Sequence, residues 1–167
     1  VILQKAGEVI PEIVSVVTEK RTGREVEFSM PDKCPACNSQ VVRLPGEVAY
    51  RCTDMACPAQ LKESLIHFSS RDAMDIRGLG PSLIELLLES HLIKDAGDLY
   101  FLKKEEISGL PRLGEKSSDN LIRSIEASKE RPLDKLIYAI GIRHVGQQTA
   151  RLIAERFSTL DTFLEAS

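Results

Sequence analysis

The chain has no tryptophan, and among its 167 residues only five phenylalanines and three tyrosines supply aromatic bulk. Its 43% hydrophobic content is therefore mostly aliphatic, which suits several small cores in a row better than one large one. No apolar run approaches the roughly 20 residues of a membrane span. An excess of positive charge is missing too: 22 basic residues face 25 acidic ones, a formal net charge of −3. That excludes a blanket electrostatic grip on nucleic acid, which announces itself as a basic domain. Cysteine is absent everywhere except between residues 34 and 57. The lack of a leader carries no information, because a chain opening at Val1 reads as an excised segment.

What is present begins with those cysteines. Cys34-Pro35-Ala36-Cys37 is followed by Cys52 and Cys57, two close pairs joined by a short loop. Such pairs can bring four thiolates to the corners of a tetrahedron, the geometry Zn²⁺ takes in closed structural sites. Disulfides or buried thiols are the bland alternative, and the spacing fits neither of the familiar ferredoxin ligand runs. Four sulfur ligands would leave no coordination position open for chemistry, and thiols committed to metal imply a reducing compartment. A window this short buries too little to fold alone, so metal binding would supply most of its folding free energy.

The first thirty residues read as β-structure. Val1–Leu3 and Ile13–Val17 are β-branched runs, and Thr18–Arg24 looks like a hairpin turn leading into the alternating Glu25-Val26-Glu27-Phe28. Three strands cannot close a barrel, so the expectation is the tail of a larger sheet. Pro31 and Asp32 mark a boundary.

After Cys57 the apolar residues fall at helical spacing, as in Leu61, Leu65, Ile66 and Phe68. A repeat emerges here: Ile76-Arg77-Gly78-Leu79-Gly80 aligns with Leu110-Pro111-Arg112-Leu113-Gly114 and with Ile142-Arg143-His144-Val145-Gly146. The final glycines stand 34 and then 32 residues apart (114 − 80 and 146 − 114), the period of a repeated supersecondary unit. Each copy is a tight apolar-glycine hairpin followed by a helix, the helix–hairpin–helix pattern h-x-G-h-G. The glycines allow close backbone approach and conformations closed to other residues, and the second helix begins with unpaired N–H groups suited to a phosphate. Backbone amides need no basic domain, which removes the objection from net charge. Only Gly78 and Gly80 give both glycines, Arg112 and His144 occupying the first slot of the other copies. Candidate DNA contacts are Gly78, Gly80, Arg112, Gly114, Arg143, His144, Gly146 and Arg151. The bland reading is that the glycines are helix starts, and that Arg143, Arg151 and Arg156 are solvated faces. Ser158 is expected to cap a further helix carrying Phe157, Leu160, Phe163 and Leu164, the start of a fourth, truncated copy.

Taken together, these residues resemble the NAD-dependent DNA ligases of bacteria. Lys5-Ala6-Gly7-Glu8-Val9-Ile10-Pro11 is similar to the end of their OB domain, the four cysteines to their zinc finger, and Gly141-Ile142-Arg143-His144-Val145-Gly146 to their helix–hairpin–helix domain. The resemblance implies a multi-module α+β chain: terminal OB-fold strands at 1–33, a small four-cysteine zinc finger at 34–58, and an all-α tandem helix–hairpin–helix array at 59–167. It implies a monomer in the bacterial cytoplasm, without an obligate protein partner, that clamps nicked duplex DNA. Family members move AMP from NAD⁺ to a lysine, then to the 5′ phosphate, and finally join the strand, with Mg²⁺ in the parent enzyme. The K-x-D-G motif carrying that lysine is absent from these residues, so the segment is expected to be inactive alone, with the sites for NAD⁺ and Mg²⁺ outside it. Two other classes remain open: a helix–hairpin–helix DNA-repair glycosylase or nuclease subunit, for which Gln147 and Lys116 make a poor catalytic case, and a zinc-ribbon module for protein partners.

Overall fold

A computed structural model describes residues 1–6, 10–111 and 113–166. Strand β1 (Ile2–Ala6) pairs antiparallel with β2 (Ile10–Ser15), Leu3 opposite Ile13 and Gln4 opposite Glu12, with an irregularity between Ile2 and Leu3. Ile2, Leu3, Ile10 and Ile13 are all exposed, so this two-stranded ribbon establishes β-pairing without enclosing a core. The expected third strand does not form. Thr18–Lys20 makes a single 3₁₀ turn, and Glu25–Phe28 runs without a strand partner among the described residues. Alternation alone cannot make a strand: Val26 and Phe28 are 91% and 79% exposed and have no surface to pack on. The turn itself survives locally, with Gly23 at φ +75° and the Thr22 amide donating to Glu25 Oε1 at 2.7 Å.

A short hairpin of β3 (Val41–Arg43) and β4 (Tyr50–Cys52) follows, and from Cys57 onward the chain is helical. Helix α1 (Pro58–Ser69) has proline at its first turn, where the missing N–H costs nothing. Three helix pairs then appear in order. They are α1 with α2 (Pro81–Glu89), α3 (Lys104–Ser108) with α4 (Glu115–Ser128), and α5 (Leu133–Ala139) with α6 (Gln147–Arg156). A last short helix, α7 (Leu160–Leu164), is capped by Thr159, not Ser158: the Thr159 hydroxyl accepts from the Thr162 amide at 3.2 Å.

The first two pairs share one core of Leu65, Phe68, Ile76, Leu79, Ile84, Leu87, Leu99, Ile107, Leu121 and Ile125. Each fully buried leucine or isoleucine there contributes about 1.5–3 kcal/mol. Polar ties fix the hairpins to this core. The Arg77 amide donates to Ser124 Oγ on α4 at 2.6 Å, and the Arg131 guanidinium donates to the Ala73 carbonyl at 2.9 and 3.1 Å. The third pair is joined to the first by His67, whose Nε2 lies 2.8 Å from the Tyr138 carbonyl. Since a carbonyl only accepts, Nε2 carries the proton.

Candidate metal centre and nucleic-acid interface

The cysteine window folds as two knuckles facing each other. After Cys34 the chain reverses tightly: the Asn38 amide donates to the Cys34 carbonyl and the Cys34 amide to the Ser39 carbonyl, both at 2.8 Å, with Asn38 at φ +62°. Cys52 ends β4, and Cys57 sits at the N-cap of α1. Asp54 braces the second knuckle against the first, accepting from the Ala56 amide at 2.9 Å and from the Ser39 hydroxyl at 3.0 Å. Those two bonds, the Ala56 amide first, hold its carboxyl below the usual carboxylate range.

All four sulfurs lie within 4.8 Å of one another, with Cys37–Cys52 at 3.4 Å and Cys34–Cys57 at 3.9 Å. A disulfide requires about 2.05 Å, so none is formed. A zinc ion with bonds of about 2.3 Å to a tetrahedron of sulfurs places them about 3.8 Å apart, so shifts of up to about 1 Å would bring the cluster to the geometry Zn²⁺ takes. Cys34 and Cys52 titrate in opposite directions. Amides of Ala36 and Cys37 bring Cys34 down to about 7. The Asp54 amide pulls Cys52 down as well, but desolvation and the neighbouring Cys37 and Cys34 thiols push it up to about 12. A bound dication offsets that mutual resistance by favouring all four thiolates at once.

The three hairpins share one backbone design. In each, the apolar residue before the last glycine donates its amide three residues back: Leu79 to Ile76 at 3.3 Å, Leu113 to Leu110 at 3.2 Å, and Val145 to Ile142 at 2.9 Å. The first-glycine slot is left-handed in hairpins 1 and 3, with Gly78 at φ +90° and His144 at φ +66°. Histidine is one of the few side chains tolerated there. Arg112, in the same slot of hairpin 2, lies outside the described residues.

The last glycine of each hairpin is the N-cap of the following helix. Gly80, Gly114 and Gly146 have φ of −89°, −94° and −81° with ψ near 170–180°, extended backbone that any residue adopts. A Cβ added at any of them would meet nothing within 4 Å. Neither conformation nor internal packing requires glycine at these three positions. Serine, threonine or aspartate would cap at least as well, yet no side chain caps α2, α4 or α6.

The helix starts differ in what they offer. At α2, Pro81 lacks an N–H and the Leu83 amide turns back to the Gly80 carbonyl at 3.0 Å, so Ser82 keeps the outward amide. The start of α4 carries Glu115, an unfavourable neighbour for an anion. α6 opens with Gln147-Gln148-Thr149, without an acid, and its first internal bond from an amide is Ala150 to Gly146 at 2.9 Å. Hairpin 3 thus presents the most unencumbered amides. On α6, Arg151 is 70% exposed in its side chain and pairs with Glu155 at 3.1 Å.

Comparison with known proteins decides what carries this arrangement. Residues 33–59 match the NAD-dependent DNA ligase C4 zinc finger domain, 70–127 a SAM-like helix–hairpin–helix tandem, and 135–167 a helix–hairpin–helix motif. A DNA ligase of Carboxydothermus hydrogenoformans is 58% identical over 164 residues, covering 98% of this chain and 25% of the relative. Ligases of Acetivibrio thermocellus and Heliobacterium modesticaldum are 53% and 54% identical over 167 residues, covering 99% and 100% of this chain and again 25% of each relative. The chain belongs to the NAD-dependent DNA ligase family. It spans about a quarter of the length of the curated relatives it matches.

Within this ligase segment the structure brings together what the sequence keeps apart. Arg143, in hairpin 3, pairs with Glu47, in the turn between β3 and β4 of the finger. Ninety-six positions separate them (143 − 47), and no local pattern signals the pair. Ser124 and Arg131, which hold the hairpin 1 backbone, were equally invisible, because their partners are main-chain atoms of distant residues.

Proposed function

We propose that this chain is the duplex-gripping segment of an NAD-dependent DNA ligase that seals nicks in replication and repair. Residues 1–33 are the last strands of an OB domain, 34–58 a structural zinc finger held by Cys34, Cys37, Cys52 and Cys57, and 59–167 a helix–hairpin–helix array. The array holds DNA through phosphate oxygens that accept from amides at the starts of α2, α4 and α6. Hairpin 3 has the leading role, with Arg143, His144, Gly146 and Arg151 around it, while Gly78, Gly80, Arg112 and Gly114 serve the other two. A phosphate grip of this kind positions the duplex and carries no sequence information. The parent acts as a monomer in the bacterial cytoplasm, and the chemistry of NAD⁺, Mg²⁺ and the AMP-accepting lysine belongs to other parts of it.

One observation carries this reading. Three glycines stand at three helix N-caps where neither φ, nor packing, nor capping calls for glycine. Close approach of an external group to the backbone is the remaining physical reason to omit a side chain there. Fluorescence anisotropy of the zinc-loaded chain with labelled nicked duplexes of unrelated sequence tests it. Equal affinities that fall with salt are expected; no binding to any duplex, or strong dependence on base sequence, would overturn it.

A further inference from the structure

Glu47 meets two guanidinium groups from two modules. Its Oε2 is 3.1 Å from Nε of Arg51 on β4, and its Oε1 pairs with Arg143 of hairpin 3. Arg43 fixes the same turn from behind: its Nε donates to the Glu47 carbonyl at 2.6 Å, and its guanidinium stands 6.0 Å from the centre of the Tyr50 ring. Three arginines therefore converge on one acidic residue, leaving a local charge of +2. The side chains of Arg51 and Arg143 remain 55% and 46% exposed, so an anion from solvent can reach both.

A carboxylate between two guanidiniums occupies the place a phosphate would take, since both present paired oxygens to the guanidinium fork. We propose that Arg51 and Arg143 form a composite phosphate site for the DNA backbone, spanning the finger and hairpin 3, and that Glu47 is the built-in anion which fills it until DNA displaces it. The proposal rests on the duplex-gripping reading above and adds to it a finger residue, Arg51, and a competitor. Both arginines stand largely in solvent and the Glu47 side chain is 25% exposed, so solvent screens the pairs and a phosphate on a polyanion can displace the Glu47 side chain. Arg43 binds only the main chain of Glu47, so the turn keeps its shape when the side chain leaves.

Glu47→Gln separates the two ideas, because it removes the competing charge while preserving size. Anisotropy titrations of the zinc-loaded chain with a nicked duplex over a range of salt are the readout. The variant should bind about three- to fivefold tighter at low salt, with a salt dependence steeper by about one unit. In the Glu47→Gln background, Arg51→Ala and Arg143→Ala should each weaken binding, and the double variant should lose less than the product of the two, as residues sharing one phosphate do. Unchanged or weaker binding by Glu47→Gln would overturn the proposal, as would independent arginine effects. Gly146→Ser is the parallel arm: if it weakens binding while Glu47→Gln changes nothing, the composite site fails and the hairpin grip stands. If neither variant changes binding, both fail.

Discussion

Replacing Gly146 with serine sets two effects against each other. Serine is at least as good an N-cap as glycine, because its hydroxyl accepts from the second or third amide of the helix, here Gln148 or Thr149. The backbone is already extended at φ −81°, and the new Cβ points into open space, so the variant should be unchanged in stability or gain a few tenths of a kcal/mol, by roughly the usual advantage of serine over glycine. DNA affinity should move the other way. The new side chain stands where a phosphate must approach and takes one of its donors. Losing one hydrogen bond to a charged group costs about 1.5–3 kcal/mol, or roughly 10- to 150-fold in Kd. Thermal unfolding followed by circular dichroism reads the first quantity, and anisotropy on a nicked duplex reads the second. Gly80→Ser should lose less, since Pro81 and the Leu83–Gly80 bond leave fewer donors there. A Gly146→Ser protein that melts higher and binds DNA as tightly as the wild type would refute the backbone-amide grip.

Chelating the metal should unfold the 34–57 window and leave the helical signal largely intact, because the shared core contains no cysteine; an unchanged melting profile after metal removal would contradict a structural zinc. Cys52→Ala should resemble chelation, since three thiolates leave an open and weaker site. Gly78 and His144 test the left-handed slot: Gly78→Ala should cost about 1–2 kcal/mol through the backbone alone, its Cβ meeting nothing within 4 Å. His144→Gly should by the same reasoning be neutral or stabilising by up to about 1 kcal/mol, and denaturant melts showing both variants equally destabilised would contradict that account.

Features set by short-range chemistry were legible in the sequence. The cysteine spacing announced the sulfur cluster, and the glycine period announced three hairpins with matching backbone bonds. Glu25–Phe28 misled because alternation records a face that could be buried, whereas a strand also needs a partner and a surface to cover. The hairpin glycines are of two kinds. Gly78 answers to a left-handed φ, but Gly80, Gly114 and Gly146 do not, and only the backbone angles separate the two kinds. The sequence also set hairpin 1 apart for having both glycines; Pro81 and the Leu83 bond give the better amides to hairpin 3 instead. Glu47, meeting Arg143 across 96 positions (143 − 47), had no sequence signal at all.

That reversal suggests a division of labour among the hairpins. Hairpin 1 is built for rigidity: Ile76 and Leu79 are 3% and 5% exposed, the Arg77 amide is held by Ser124, and Arg131 grips the loop before it. In hairpin 3, Ile142 is 41% exposed and Leu152 on α6 stands 66% in solvent. Its ties to the rest of the molecule include the His67–Tyr138 bond and the Arg143–Glu47 pair. The hairpin with the best amides is thus also the one with less of its surface in the core than hairpin 1, as a ligand-holding element must be if DNA is to cover it. The proposed amide grip reconciles a net charge of −3 with the proposed DNA partner. In the proposed grip, amides at helix starts would supply the contacts and a few arginines the salt dependence, and one of those, Arg143, is paired with Glu47 in this structure.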